Sequence, residues 1–178
     1  MSLGDSKTTA AWQAPLLASV IAASGVAWSS IDNGWAGATV TSYAASIAAR
    51  LAPYNPVNPP SFEALCNFGA NDVSALPSEA AWKASYLAIV DAITAKWPQA
   101  KVRITKPWRR GYATQCNTLA GWIDDIVAAR PGVAFVGDDE RVWLENGDNG
   151  TTRTSDGVHP NAAGHAEKAA QMLTVLGY

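Results

Sequence analysis

Along the chain, short apolar runs alternate with longer stretches in which apolar residues recur at helical spacing, always strand first and helix second. Residues 1–3, 26–31, 62–68, 101–105 and 133–136 read as strands. Residues 9–23, 41–52, 78–97, 113–130 and 161–176 read as helices, with Ser78 after Pro77 marking one start and Pro98 the stop of the same helix. Strict alternation of this kind predicts an α/β protein, because a helix is the usual way to carry the chain back for the next parallel strand. The proline-rich residues 52–60 fall between a helix and a strand and are expected to form a rigid surface loop at the amino ends of the strands.

Composition narrows the picture. At 48% apolar and 16% charged residues the chain is globular, which excludes a disordered tail or a collagen-like fibre. Its 178 residues predict one domain spanning residues 1–178. With 13 basic against 15 acidic side chains, and no basic run beyond Arg109-Arg110, it lacks the footprint of a general nucleic-acid binder. Residues 14–23 are apolar but interrupted by Pro15 and Ser19, well short of the ~20 residues of a membrane span, so none is expected. The first residues have neither the basic start nor the apolar middle of a secretory leader, and location stays open. Cys66 and Cys116 are too few for a disulfide framework and are expected as free thiols, with a single bridge as the alternative; their spacing fits no zinc motif.

In an open parallel sheet ligands sit beyond the carboxyl ends of the strands, so the loops that follow the strands are where chemistry is expected. Those loops hold Gly4-Asp5-Ser6, Asn33-Gly34-Trp35-Ala36-Gly37, Gly69-Ala70-Asn71-Asp72 and Asp156-Gly157-Val158-His159-Pro160. Together they offer what acyl transfer requires: a nucleophile, a base, a group that orients the base, and donors for an oxyanion. Ser6 stands beside Gly4 at a strand end, where the chain can turn sharply. His159 can take the serine proton, and Asp156, three residues earlier, can hold the other ring nitrogen. The amides of Ser6 and Gly37 and the side chain of Asn71 are candidate oxyanion donors.

These four blocks, in this order, resemble those of the SGNH hydrolases, also called GDSL-like lipases and esterases, over essentially the whole chain. The resemblance implies a three-layer α/β/α sandwich with a flavodoxin-like five-stranded parallel sheet. It also implies a serine esterase that works through an acyl-serine without metal or other cofactor. By motif position it assigns Ser6 as nucleophile, Gly37 and Asn71 as oxyanion donors, His159 as base and Asp156 as its orienter. Two positions depart from the family pattern. Only Met1, Ser2 and Leu3 precede the first block, so the chain is either cut from a longer protein or has a first strand shortened at its start. Lys7 stands where an apolar residue is usual, and is expected to point to solvent.

Other residues have structural readings. His165 is expected in the last helix, Asp72 as a loop or helix-entry residue, and Asp138-Asp139-Glu140 and Asp148-Asn149-Gly150 as solvated turns without calcium-loop spacing. Residues 4–8 lack the order of a phosphate-binding loop, so nucleotide binding is not expected. Of the eight tryptophans, Trp12, Trp82, Trp97 and Trp122 fall on helical segments and are expected to pack. Trp35, Trp108 and Trp143 fall on loops and, with Arg109, Arg110 and Tyr112, are expected to wall a substrate cleft. The sequence thus predicts an esterase for small-molecule or carbohydrate esters. Short acyl groups are favoured because no long insertion offers an apolar lid, and O-acetyl groups on carbohydrate are one candidate. A catalytically silent carbohydrate- or surface-binding module of a larger protein is the alternative. Oligomeric state is not legible.

Overall fold

A computed structural model describes residues 1–8, 10–54, 61–145 and 152–178. Its strands are β1 (Ser2–Gly4), β2 (Asp32–Gly34), β3 (Phe62–Asn67), β4 (Ala100–Lys106) and β5 (Ala134–Asp139). The helices are α1 (Ala10–Ser24), α2 (Val40–Leu51), α3 (Glu79–Lys96), α4 (Ala113–Ala129) and α5 (Ala162–Val175). The strands form one parallel sheet in the order β2-β1-β3-β4-β5, the flavodoxin-like order, whose direction of winding reverses between β1 and β3. The loops leaving those two strands therefore flank a crevice, and they are the loops of Ser6 and Asn71.

Period-2 alternation divides the core. Ala64 and Cys66 of β3, and Val102 and Ile104 of β4, face α2, α3 and α4, where Tyr43, Trp82, Tyr86 and Ile123 complete the larger cluster. Leu65 faces the other way, onto Trp12, Leu16 and Val20 of α1 and Met172 of α5. Three helices on one face and two on the other make the three layers. Side-chain caps begin several helices: Thr39 accepts from Ser42 N in a capping box, Ser78 from Ala81 N and Asn161 from Gly164 N. Cys66 and Cys116 are both free and buried. Among the described residues no helix is long and apolar enough to cross a membrane.

One strand is not where its composition suggested. Residues 26–31 are apolar enough for a strand, yet β2 is Asp32–Gly34. Pairing decides this: Ser2, Leu3 and Gly4 lie beside Asp32, Asn33 and Gly34. Val26 is instead 52% exposed. Residues 26–31 border a cavity of about 470 Å³ at the amino ends of the strands, with Leu16, Val20 and Phe62 among its other walls. Of the proline-rich stretch, residues 55–60 lie outside the described residues, as do residues 148–150.

Candidate active site

The turn after β1 is built around glycine and aspartate. A Cβ on Gly4 would overlap Thr8 Oγ1 and the Asn67 carbonyl, so a larger residue cannot stand there. Asp5 closes the turn: its Oδ1 accepts the Lys7 N–H at 2.9 Å and its carbonyl accepts the Thr8 N–H at 3.0 Å. Burial pushes the Asp5 carboxyl up to about 6, against the pull of the Lys7 ammonium and amide.

The second and third blocks are tied to this turn and to each other. Trp35 N–H donates to the Gly4 carbonyl at 2.8 Å, and Ala38 N–H to the Trp35 carbonyl at 3.1 Å. Asn71 Nδ2 donates to the Ala38 carbonyl at 3.0 Å, which uses one of its two hydrogens and leaves the other for a ligand. Asp72 is structural, as expected: its carboxylate receives Val40 N–H at 3.2 Å and Trp82 Nε1 at 3.1 Å, pinning the start of α2. Burial raises that carboxyl to about 6 despite these donors.

In the fourth block, Ser155 N–H donates to the His159 carbonyl at 2.9 Å and Thr154 bridges to Pro160. Gly157 has φ +83°, which calls for glycine, and the flexible end of Arg110 lies 2.8 Å from where its Cβ would be. Asp156 Oδ1 accepts the N–H groups of Val158 at 2.9 Å and His159 at 2.8 Å, which aims Oδ2 at the ring.

The three candidate groups meet in line. Ser6 Oγ lies 2.8 Å from His159 Nε2, and His159 Nδ1 lies 2.7 Å from Asp156 Oδ2. Asp156 is held well below the usual carboxylate range, first by the His159 backbone N–H and then by the ring and the Val158 N–H. It is therefore an anion at any working pH, and an anion at Nδ1 favours the tautomer with a proton there and a lone pair at Nε2 facing the hydroxyl. His165 sits in the first turn of α5 and takes no part in this chain of bonds.

The expected cleft wall is only partly there. Trp35 is 38% exposed and borders, with Ser6, Thr8, Asp32, Gly34 and Ala36, a cavity of about 320 Å³ beside the hydroxyl. The Arg50 guanidinium stacks on its ring at 4.4 Å. Arg109 donates to the Ala70 carbonyl at 2.9 Å and lies over Tyr112, next to Asn71. Trp108 and Trp143 do not line the cleft: each is 5% exposed, in a small cluster with Leu144. Trp108 packs inward although it stands on a loop, and Trp143 lies in a short helical turn, Arg141–Glu145, because an indole gains more by packing than by facing water.

Lys7 does not reach solvent, and Asp138 and Glu140 are not solvated turns. Lys7, Lys168, Asp138 and Glu140 are all buried and share one hydrogen-bonded cluster behind the Ser6 turn. Burial alone would raise the Glu140 carboxyl; the ammoniums of Lys168 and Lys7 overcome that and hold it well below its ordinary value. For Asp138 burial prevails and its carboxyl is raised.

The profile of the GDSL-like lipase/acylhydrolase family matches residues 2–167. The chain belongs to that family. It is accordingly a carboxylic ester hydrolase of the GDSL type. No curated protein sequence matches. Solved structures share the fold at low identity. A family 3 carbohydrate esterase from Talaromyces cellulolyticus is 21% identical with a TM-score of 0.74, over 99% of this chain and 94% of that one. An acetylxylan esterase from Geobacillus stearothermophilus is 16% identical with a TM-score of 0.78, over 99% and 93%. An acetyl esterase variant holding an acetate ion is 20% identical with a TM-score of 0.78, over 99% and 94%.

Proposed function

We propose that this GDSL-family hydrolase is a serine esterase that removes short acyl groups, with O-acetyl groups on carbohydrate as its substrate class. The observation that carries the reading is the line of hydrogen bonds from Ser6 Oγ through His159 to Asp156. His159 Nε2 takes the Ser6 proton as Oγ attacks the ester carbonyl carbon, and Asp156 stabilises the imidazolium that forms. The negative charge gathering on the carbonyl oxygen meets the amides of Ser6 and Gly37 and the second Nδ2 hydrogen of Asn71. Collapse breaks the ester C–O bond, and His159 returns the proton to the departing alcohol oxygen. Water then attacks the acyl-serine, giving its proton to His159, and the acid leaves as Ser6 recovers its proton.

The short-acyl preference is supported by the sequence, which offers no long insertion to close as an apolar lid over the open cavity beside Ser6. The carbohydrate part is supported by the flat face of Trp35, steadied by Arg50, and by the acceptor Asp32 across the same cavity. Three structures of the same fold bear carbohydrate-esterase, acetylxylan-esterase and acetyl-esterase names. A silent binding module has no physical need for the aligned hydroxyl, imidazole and carboxylate.

A series of p-nitrophenyl esters of increasing chain length, run beside an acetylated xylooligosaccharide, tests the reading. The expected result is the highest kcat/KM at acetyl, with acetate released from the saccharide. A maximum at long chains would defeat the short-acyl assignment, and no acetate release would defeat the carbohydrate one. An organophosphonate should label the wild type and leave Ser6→Ala unlabelled.

A further inference from the structure

The residue after Ser6 is a lysine sealed from water. Lys7 is 1% exposed, and its ammonium donates to Glu140 Oε2 at 2.7 Å and to the Trp108 carbonyl at 2.5 Å. Glu140 Oε2 also accepts the Trp108 N–H at 3.1 Å, so Lys7, Glu140 and Trp108 close a ring of hydrogen bonds. The backbone of Lys7 is fixed as well: its N–H by Asp5 and its carbonyl by Trp12 Nε1 at 3.0 Å. Beyond the ring, Glu140 Oε1 accepts from Lys168 at 2.7 Å, and Lys168 reaches Asp138 at 3.3 Å.

Buried ion pairs are a poor route to stability, since well-packed apolar residues of similar volume often serve as well or better. The position of this ring suggests a different use. Trp108 lies in the loop between β4 and α4, and the next two residues reach the other candidate blocks. Arg109 Nη1 donates to the carbonyl of Ala70, the residue before Asn71. Arg110 N–H donates to the carbonyl of Gly157, the residue after Asp156, at 3.0 Å. The ring thus joins the turn of Ser6 to a loop that touches both the Asn71 block and the Asp156–His159 block.

We propose that Lys7 is a positioning residue, which through its ring with Glu140 and Trp108 locks the nucleophile turn in register with the loops of Asn71 and His159. It touches no substrate, and the proposal rests on Ser6 as nucleophile and His159 as base. Loss of the lock lets the hydroxyl drift from the imidazole, and a misplacement of ~1 Å is enough to cost about a hundredfold in rate. At the cleft face, Trp35 holds to Gly4 and Arg50, and Asp32 to Gly34, rather than to the ring, so substrate binding should hardly change.

Lys7→Met should fold and lower kcat on p-nitrophenyl acetate by about tenfold to a hundredfold, with KM within about twofold and organophosphonate labelling slowed in proportion. Glu140→Gln keeps the side-chain shape but removes the charge, and should show the same split; it stands in for Lys7→Met if that variant does not fold. The double variant should lose no more than the worse single one, since both changes open one ring. Lys168→Met removes an ammonium of the same cluster that does not touch Trp108, and should keep kcat within about threefold whatever its melting temperature. Wild-type kcat in Lys7→Met, or an equal loss in Lys168→Met, would overturn the proposal. Ser6→Ala run in parallel separates the two readings: turnover surviving there sinks the nucleophile assignment, whatever Lys7 does.

Discussion

Replacing Asp5 by asparagine should flatten the dependence of stability on pH. The side chain is 1% exposed; Oδ1 holds the Lys7 amide, and Oδ2 has no partner among the described residues. Burial raises the carboxyl from 3.8 to about 6. The folded state therefore holds the proton more tightly than the unfolded chain does. Stability is highest below the unfolded value, falls as pH rises toward the folded value, and is constant above it. At ~1.36 kcal/mol per pH unit the full penalty is about 3 kcal/mol, of which roughly 2 to 3 kcal/mol develops between about pH 4 and pH 8. Asparagine carries a cost of its own, about 1 to 3 kcal/mol for an amide left unpartnered, but that cost is the same at every pH. The quantity to read is thus the change in the gap between variant and wild type. For a chain of 178 residues, at ~2 to 4 °C per kcal/mol, the variant's melting temperature should gain roughly 5 to 10 °C on the wild type from the acid to the alkaline end. Calorimetric melts of both proteins at the two pH values give this directly. Parallel curves would refute the reasoning, because they would mean that the Asp5 carboxyl ionises in the fold as easily as in water.

Three further substitutions bear on the site. Asn71→Ala should lower kcat by about a hundredfold to a thousandfold with a smaller change in KM, as steady-state kinetics would read; an unchanged kcat removes Asn71 from the oxyanion site. Gly157→Ala forces a side chain to φ +83° and into the Arg110 guanidinium, and should cost about 1 to 3 kcal/mol in urea unfolding together with a fall in kcat. Wild-type values for both would show that the turn adjusts without strain. Trp35→Ala should raise KM for an acetylated oligosaccharide by about twofold to tenfold, the worth of one aromatic contact, and leave p-nitrophenyl acetate nearly unaffected. An equal effect on both substrates would place Trp35 at the acyl group rather than at the sugar.

All five helices and four of the strands were legible because each carries its own signal, an apolar face at helical period or a run of β-formers between turns. β2 carries none: Asp32-Asn33-Gly34 is a poor strand by composition and becomes one because Ser2–Gly4 lies alongside. The candidate site residues stood out as short blocks on the loops after the strands, and the distances among Ser6, His159 and Asp156 then turn on backbone donors local to each loop. The buried charges were not legible. Taken singly, Lys7, Asp138, Glu140 and Lys168 belong in water, and only the fold brings such distant positions close enough to replace it. The same non-local cause put Trp108 and Trp143 together out of the cleft.

The exposure of Trp35 has a practical side. Trp12, Trp82, Trp97, Trp108 and Trp143 are all buried and Trp28 and Trp122 partly so, whereas Trp35 is exposed and borders the same cavity as Ser6. Its indole is therefore the one in this chain best placed to meet a small soluble quencher such as acrylamide. A molecule seated in the cleft would cover that indole and shield a fraction of the emission, so the protein carries its own optical gauge of occupancy, readable in the Ser6→Ala variant without a label.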